Sequence, residues 1–137
     1  MQEITVDTEM EQIANVTNFV NAFLKELGCP THVRIQLDVA VDELFGNIIR
    51  YAYGDKIGPV TIRMEAEEDS LDVVLTFIDQ GIPFNPLTKE MPNTFGLKAR
   101  ERPIGGLGLF MVKKTMDELS YEYRDGKNIL MVRKKIE

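Results

Sequence analysis

The sequence predicts an α+β fold: a two-layer α/β sandwich in which helices cover one face of a mixed, mostly antiparallel sheet. Three observations predict it. Apolar residues recur at helical spacing through two consecutive stretches in the first third of the chain. Two stretches that follow alternate apolar and polar residues around a polar turn, the pattern of a half-buried hairpin. After one further helical stretch a second alternating pair closes the sequence, giving the order β-α-α-β-β-loop-α-β-β. Strands joined by tight turns pair antiparallel, and three helices suffice to cover one face of such a sheet. The 137 residues fit a single domain, 1–137, with one core.

Taken in order, Glu3 to Val6 reads as a short edge strand. Ile13, Val16, Val20, Phe23 and Leu27 then mark one face of a helix, which Gly28 and Pro30 stop. A second helix is expected from Thr31 to Tyr53, with Leu37, Val41, Leu44, Ile48 and Tyr51 on its core face and Gly54 at its end. Val60, Ile62, Met64 and Ala66 alternate with polar residues as a strand buried on one face. The polar turn Glu67-Glu68-Asp69-Ser70 leads to a second strand carrying Leu71, Val73, Leu75 and Phe77. From Asn85 to Ile104 periodicity disappears among Pro86, Pro92, Gly96 and Pro103; loops this long inside a compact domain are usually functional. A third helix is expected to run from the glycines at 105–108 to about Asp117. Strands Leu119–Arg124 and Ile129–Lys134 flank a turn at Asp125-Gly126-Lys127-Asn128.

Composition narrows the function. A formal net charge of −6 argues against binding a phosphate backbone, so no direct nucleic-acid partner is expected. Cys29 is alone and can form neither an internal disulfide nor a thiolate metal cluster. His32 is the only histidine and sits beside Pro30 and Thr31 in a loop context that supports no catalytic triad. The opening MQEITVDTEM is polar, and no apolar run approaches a membrane span, so a cytoplasmic protein without membrane contact is expected.

Three motifs carry chemistry. On the second helix, Glu43 and Asn47 lie four residues apart, hence on one face, at the rim of the buried arc. An Asn oxygen can ligate Mg²⁺, and a Glu can deprotonate a nucleophile; a solvated helix face carries the same pair equally well. In Phe77-Ile78-Asp79-Gln80-Gly81 an apolar strand ends on a carboxylate. Such a group can accept a hydrogen bond from an exocyclic amino group such as adenine N6, and Gly81 lets backbone approach a flat ring. A plain Asp-x-Gly turn is the alternative. Finally, Gly105-Gly106-Leu107-Gly108 opens a helix, placing backbone N–H groups and the positive helix end where phosphate could sit. Lys98, Arg100 and Arg102 lie just upstream. A flexible hinge would look similar. No Gly-Lys-Ser/Thr follows, which excludes a Walker A loop, and no strand precedes, which excludes a Rossmann fingerprint.

Glu43-x-x-x-Asn47, Asp79-x-Gly81 and Gly105-Gly106-x-Gly108 resemble the N, G1 and G2 boxes of the GHKL ATPases, whose histidine kinase-like domain has the Bergerat fold. The likeness covers nearly the whole chain. Residues 42–55 (DELFGNIIRYAYGD), 79–86 (DQGIPFNP) and 105–121 (GGLGLFMVKKTMDELSY) are similar to the corresponding segments of anti-sigma serine kinases of the RsbW and SpoIIAB type.

That resemblance implies roles. Asn47 would ligate Mg²⁺ and Glu43 would be the catalytic base. Asp79 would bind adenine with Gly81 beside it. Gly105, Gly106, Leu107 and Gly108 would hold the phosphates of ATP, and residues 85–104 would form a lid. It also implies a serine/threonine protein kinase that phosphorylates a STAS-domain anti-anti-sigma protein and sequesters a sigma factor, usually as a homodimer. A stand-alone histidine kinase-like ATPase, or a nucleotide-sensing switch module with another protein partner, uses the same boxes.

Overall fold

A computed structural model describes residues 1–67, 71–88 and 106–136. Five strands form one sheet in the order β1-β2-β3-β5-β4. The strands are β1 (Gln2–Asp7), β2 (Pro59–Ala66), β3 (Asp72–Asp79), β4 (Glu118–Arg124) and β5 (Lys127–Lys135). Three helices, α1 (Gln12–Glu26), α2 (Thr31–Tyr51) and α3 (Gly106–Thr115), pack with it around one core. The element order is the expected one. All four strand pairings are antiparallel, so the expected mixed sheet is antiparallel throughout the described residues.

α1 buries Val16, Val20, Phe23 and Leu24, the stripe its spacing dictates. Leu27, expected on that stripe, is instead the C-cap and 39% exposed, because the chain turns off the core one residue before Gly28, whose φ is +71°. α2 starts after the extended Pro30 and buries Leu37, Ala40, Val41, Leu44, Phe45 and Ile48. It stops at Tyr51 rather than Tyr53. Its C-terminal backbone is engaged by the loop after β3: the Ile82 N–H donates to the Ala52 carbonyl at 2.8 Å. The Tyr53 hydroxyl donates to the Pro59 carbonyl at 2.6 Å and accepts from the Gln80 N–H at 2.9 Å. Tyr51, expected in the core, is 37% exposed, with its ring 5.2 Å from that of Phe84.

β3 is the central strand, and its alternation hides a second buried face. Val73, Leu75 and Phe77 point into the core, yet Val74 and Thr76 on the opposite side are also buried. Leu71 and Ala66, expected on the buried faces of the hairpin, lie at its open end and are exposed. The β4–β5 connection is tighter than the expected four-residue turn. Only Asp125 and Gly126 intervene, both with positive φ (55° and 77°), as a two-residue hairpin requires. Lys127 and Asn128 therefore belong to β5, where they pair with Arg124 and Tyr123. α3 ends at Thr115, whose carbonyl accepts from Lys134 Nζ at 2.7 Å. Within the expected lid at 85–104, the described part is a single 3-10 turn at Pro86–Thr88. Residues 89–105, which include Lys98, Arg100, Arg102 and Gly105, lie outside the described residues, as do residues 68–70 of the polar turn.

Candidate functional site

Four elements meet at one end of the sheet: the C-terminal half of α2, the end of β3, the start of β5 and the first turn of α3. Asp79 is the last residue of β3 and is only 4% exposed. Its Oδ1 accepts from the Gly81 N–H and from Asn128 Nδ2, each at 2.8 Å. Both bonds end on the same oxygen, which leaves Oδ2 as the acceptor available to a bound base. Burial pushes the Asp79 carboxyl above its ordinary value, and the bonds from Asn128 and Gly81 oppose that shift.

Gly81 is glycine for a steric reason. A Cβ there would lie 2.1 Å from the carbonyl oxygen of Ala52. The end of α2 and the loop after β3 are thus backbone against backbone, and the Ile82–Ala52 hydrogen bond fixes that approach.

Asn47 lies on the core side of α2 and is 3% exposed. It faces the same cavity as Asp79, whose walls also include Ile48, Phe84, Tyr121, Asn128 and Leu130. Among the described residues the Asn47 side chain makes no hydrogen bond. Its amide is open to the cavity rather than sealed in the core, where a ligand can meet it. Mg²⁺ bound through one or two protein oxygens plus substrate phosphates suits that donor set. Among the described residues no cluster of three or more His, Cys, Asp or Glu offers a competing metal site.

Glu43 sits one turn before Asn47 on α2 and faces α3. Its Oε2 would be 2.3 Å from a Cβ added at Gly108, so the carboxylate lies directly against the first turn of that helix. Gly106 and Leu107 open α3 beside it. Asn47 and Asp79 therefore share a cavity, and Glu43 ties the same face of α2 to the glycine helix. Of the expected site residues Gly105 lies outside the described set, as do the upstream Lys98, Arg100 and Arg102.

Sequence reasoning missed two members of the site. Asn128 is buried opposite Asp79 in the β3–β5 register. Besides Asp79 it donates to the Ile82 carbonyl at 2.8 Å, while its Oδ1 accepts from the Phe84 N–H at 3.2 Å and from the Tyr121 hydroxyl. The Tyr121 hydroxyl also lies 3.2 Å from the Phe84 N–H. A signal was present: Asn128 takes the inward position of an alternation continued by Leu130 and Val132. A polar residue at such a position needs buried partners.

Comparison with known proteins bears on the family and the fold. The profile of the histidine kinase-like ATPase domain matches residues 6–134. The chain is 25% identical over 134 residues to the serine-protein kinase RsbW of Bacillus mycoides, covering 96% of this chain and 82% of that protein. It is 32% identical over 101 residues to RsbW of Listeria innocua, covering 71% of this chain and 63% of that one. Among solved structures it resembles the RsbU and RsbW domains of a Mycobacterium tuberculosis protein. There the TM-score is 0.67 at 14% identity, covering 99% of this chain and 33% of that one. It also resembles the Acinetobacter baumannii histidine kinase AdeS, with a TM-score of 0.50 at 16% identity, covering 99% and 69% of the two chains. Both likenesses bear on the fold alone, and the fold is the expected one. The matched span takes in every element that builds the cavity, and the chain belongs to the family of histidine kinase-like ATPase domains.

Proposed function

We propose that the chain binds ATP with Mg²⁺ and transfers the γ-phosphoryl group to a serine of a partner protein. The observation that carries this reading is the convergence of Asp79 and Asn47 on one cavity, with Glu43 at the first turn of α3. Asp79 Oδ2 accepts from the adenine amino group, while Gly81 leaves room for the ring. Asn47 supplies an oxygen to Mg²⁺, which neutralises phosphate charge. The N–H groups opening α3, from Gly106 through Gly108, face the phosphates.

In the transfer step the serine oxygen forms a bond to the γ-phosphorus, and the bond to the β,γ-bridging oxygen of ATP breaks. ADP leaves with the electron pair, and Glu43 takes the serine proton. Phosphoryl transfer needs positioning and charge neutralisation above all. A hydroxyl presented by another protein can be positioned at such a site.

Similarity to RsbW serine-protein kinases supports a STAS-domain anti-anti-sigma protein as substrate and a sigma factor as the alternative partner. A homodimer acting in the cytoplasm is part of the same proposal, carried by the family resemblance alone. Among the described residues no helix is long and apolar enough to cross a membrane.

The test mixes the protein with γ-labelled ATP, Mg²⁺ and candidate STAS-domain proteins. Label should appear on a serine with the native protein and not with Glu43→Ala, which should still bind ATP. Tight ATP binding with no transfer to any partner would replace this proposal with a nucleotide-sensing module.

A further inference from the structure

The two glycines of the site serve different neighbours. At Gly81 the obstacle to a side chain is backbone, the Ala52 carbonyl at 2.1 Å. At Gly108 the obstacle is another side chain: an added Cβ would be 2.3 Å from Glu43 Oε2 and 2.9 Å from the Glu43 carboxyl carbon. Both distances fall well inside the ~3.5 Å at which such atoms rest in contact. We infer that Gly108 is a positioning residue for Glu43, its missing side chain leaving the seat that the Glu43 carboxylate occupies in the first turn of α3. This rests on the proposed role of Glu43 as the base.

Three consequences follow from the geometry. The acid is held from both sides, by its own helix and by the start of α3. The seat suits an anion, because the first turn of a helix presents its unpaired N–H groups and positive end. And the atoms in conflict belong to the far end of a flexible side chain, so alanine at 108 is accommodated by Glu43 swinging aside rather than by α3 moving. Asn47, one turn along α2, is untouched. Nucleotide binding and base placement should therefore separate at position 108. A misplacement of about 1 Å in a catalytic group can cost on the order of 100-fold in rate.

The experiment compares Gly108→Ala, Glu43→Ala and the double variant in the full chain. Calorimetry gives the ATP dissociation constant, and single-turnover transfer to the partner serine gives the chemical rate. A third readout needs no activity: titration of the Glu43 side-chain carboxyl by NMR, with the Leu109 amide resonance followed alongside. Gly108→Ala keeps the backbone N–H that the phosphates would meet, so its transfer rate at saturating ATP should fall by at least ~10-fold, and by more than its ATP affinity falls. The double variant should be no slower than Glu43→Ala alone. In the native protein the Leu109 amide should follow the Glu43 titration, and in Gly108→Ala it should cease to.

Wild-type transfer by Gly108→Ala overturns the inference. So does an equal loss of ATP affinity with and without Glu43→Ala, since Gly108 would then act on phosphate alone. A Leu109 amide indifferent to Glu43 in the native protein overturns it as well. Should Gly108→Ala fail to fold, Glu43→Gln decides: it must abolish the pH response of the Leu109 amide. If the native protein transfers to no partner, the kinase proposal fails and the NMR result alone judges the seat.

Discussion

Asn128 donates its side-chain amide to Asp79 Oδ1 at 2.8 Å, across the strand pair that places the two residues opposite each other. The direction of that bond is fixed by the rest of the network. Asn128 Oδ1 accepts from the Phe84 N–H and the Tyr121 hydroxyl, so Nδ2 must face Asp79 and the Ile82 carbonyl. Asp79 is thereby presented to the cavity with Oδ1 engaged. Replacing Asn128 with Ala strands several buried partners together, each at roughly 1–3 kcal/mol. Asn128→Ala is expected to lose about 2 kcal/mol or more of stability in urea denaturation, and ATP affinity with it. Native-like stability would show that the network does not support the site.

Asp79→Asn should separate folding from binding. The amide oxygen can replace Oδ1 toward Gly81 and Asn128, but the amide nitrogen then faces the adenine amino group as a second donor. ATP affinity is expected to fall by about 1–3 kcal/mol, roughly 5- to 150-fold, with the fold kept. Calorimetry with Mg-ATP, alongside a thermal melt, checks both halves.

The same variant should change the pH dependence of stability. Burial raises the folded-state pKa of Asp79 above its ordinary value. The folded protein therefore holds this proton more tightly than the unfolded chain. The associated stability is fully present below the unfolded value and is lost as pH rises through the raised folded value. Asp79→Asn should remove that decline, and it should be at least as stable as the native protein above the window. Parallel stability curves for the two would contradict the sign of the shift.

Gly81→Ala should damage both fold and site, because the new Cβ meets backbone at 2.1 Å and something must move. Overpacking of this kind costs about 1–3 kcal/mol. The Ile82–Ala52 hydrogen bond should break, visible as faster exchange of the Ile82 amide. An unperturbed Ile82 amide would mean that the loop has room that the geometry denies.

Much of this site was legible in the sequence because its parts are local. Glu43 and Asn47 are joined by helical spacing, Asp79 and Gly81 by a strand end, and the glycines by the start of α3. What the sequence hid was long-range. Asn128 looked like a turn residue because Asp125-Gly126-Lys127-Asn128 is polar throughout; only the tightness of the two-residue turn moves it into β5. Tyr51 fits the apolar arc of α2, yet it lies where the helix meets the loop after β3, and its ring meets that of Phe84 at a tilt in place of the core. Tyr53 continued the helical pattern, but its hydroxyl is spent joining β2 to the end of β3. Val74 and Thr76 are buried on the second face of β3, a consequence of its central place in the sheet that alternation within one strand does not reveal.

The most direct test is an NMR titration with Mg-ATP that follows the backbone amides of Gly81, Ile82, Asn128 and Gly108. All four should shift together and saturate at one stoichiometric nucleotide, while GTP, which presents no amino donor at the matching ring position, should leave them nearly unmoved. Saturable ATP binding that perturbs other residues and spares these four would contradict the assignment of the cavity.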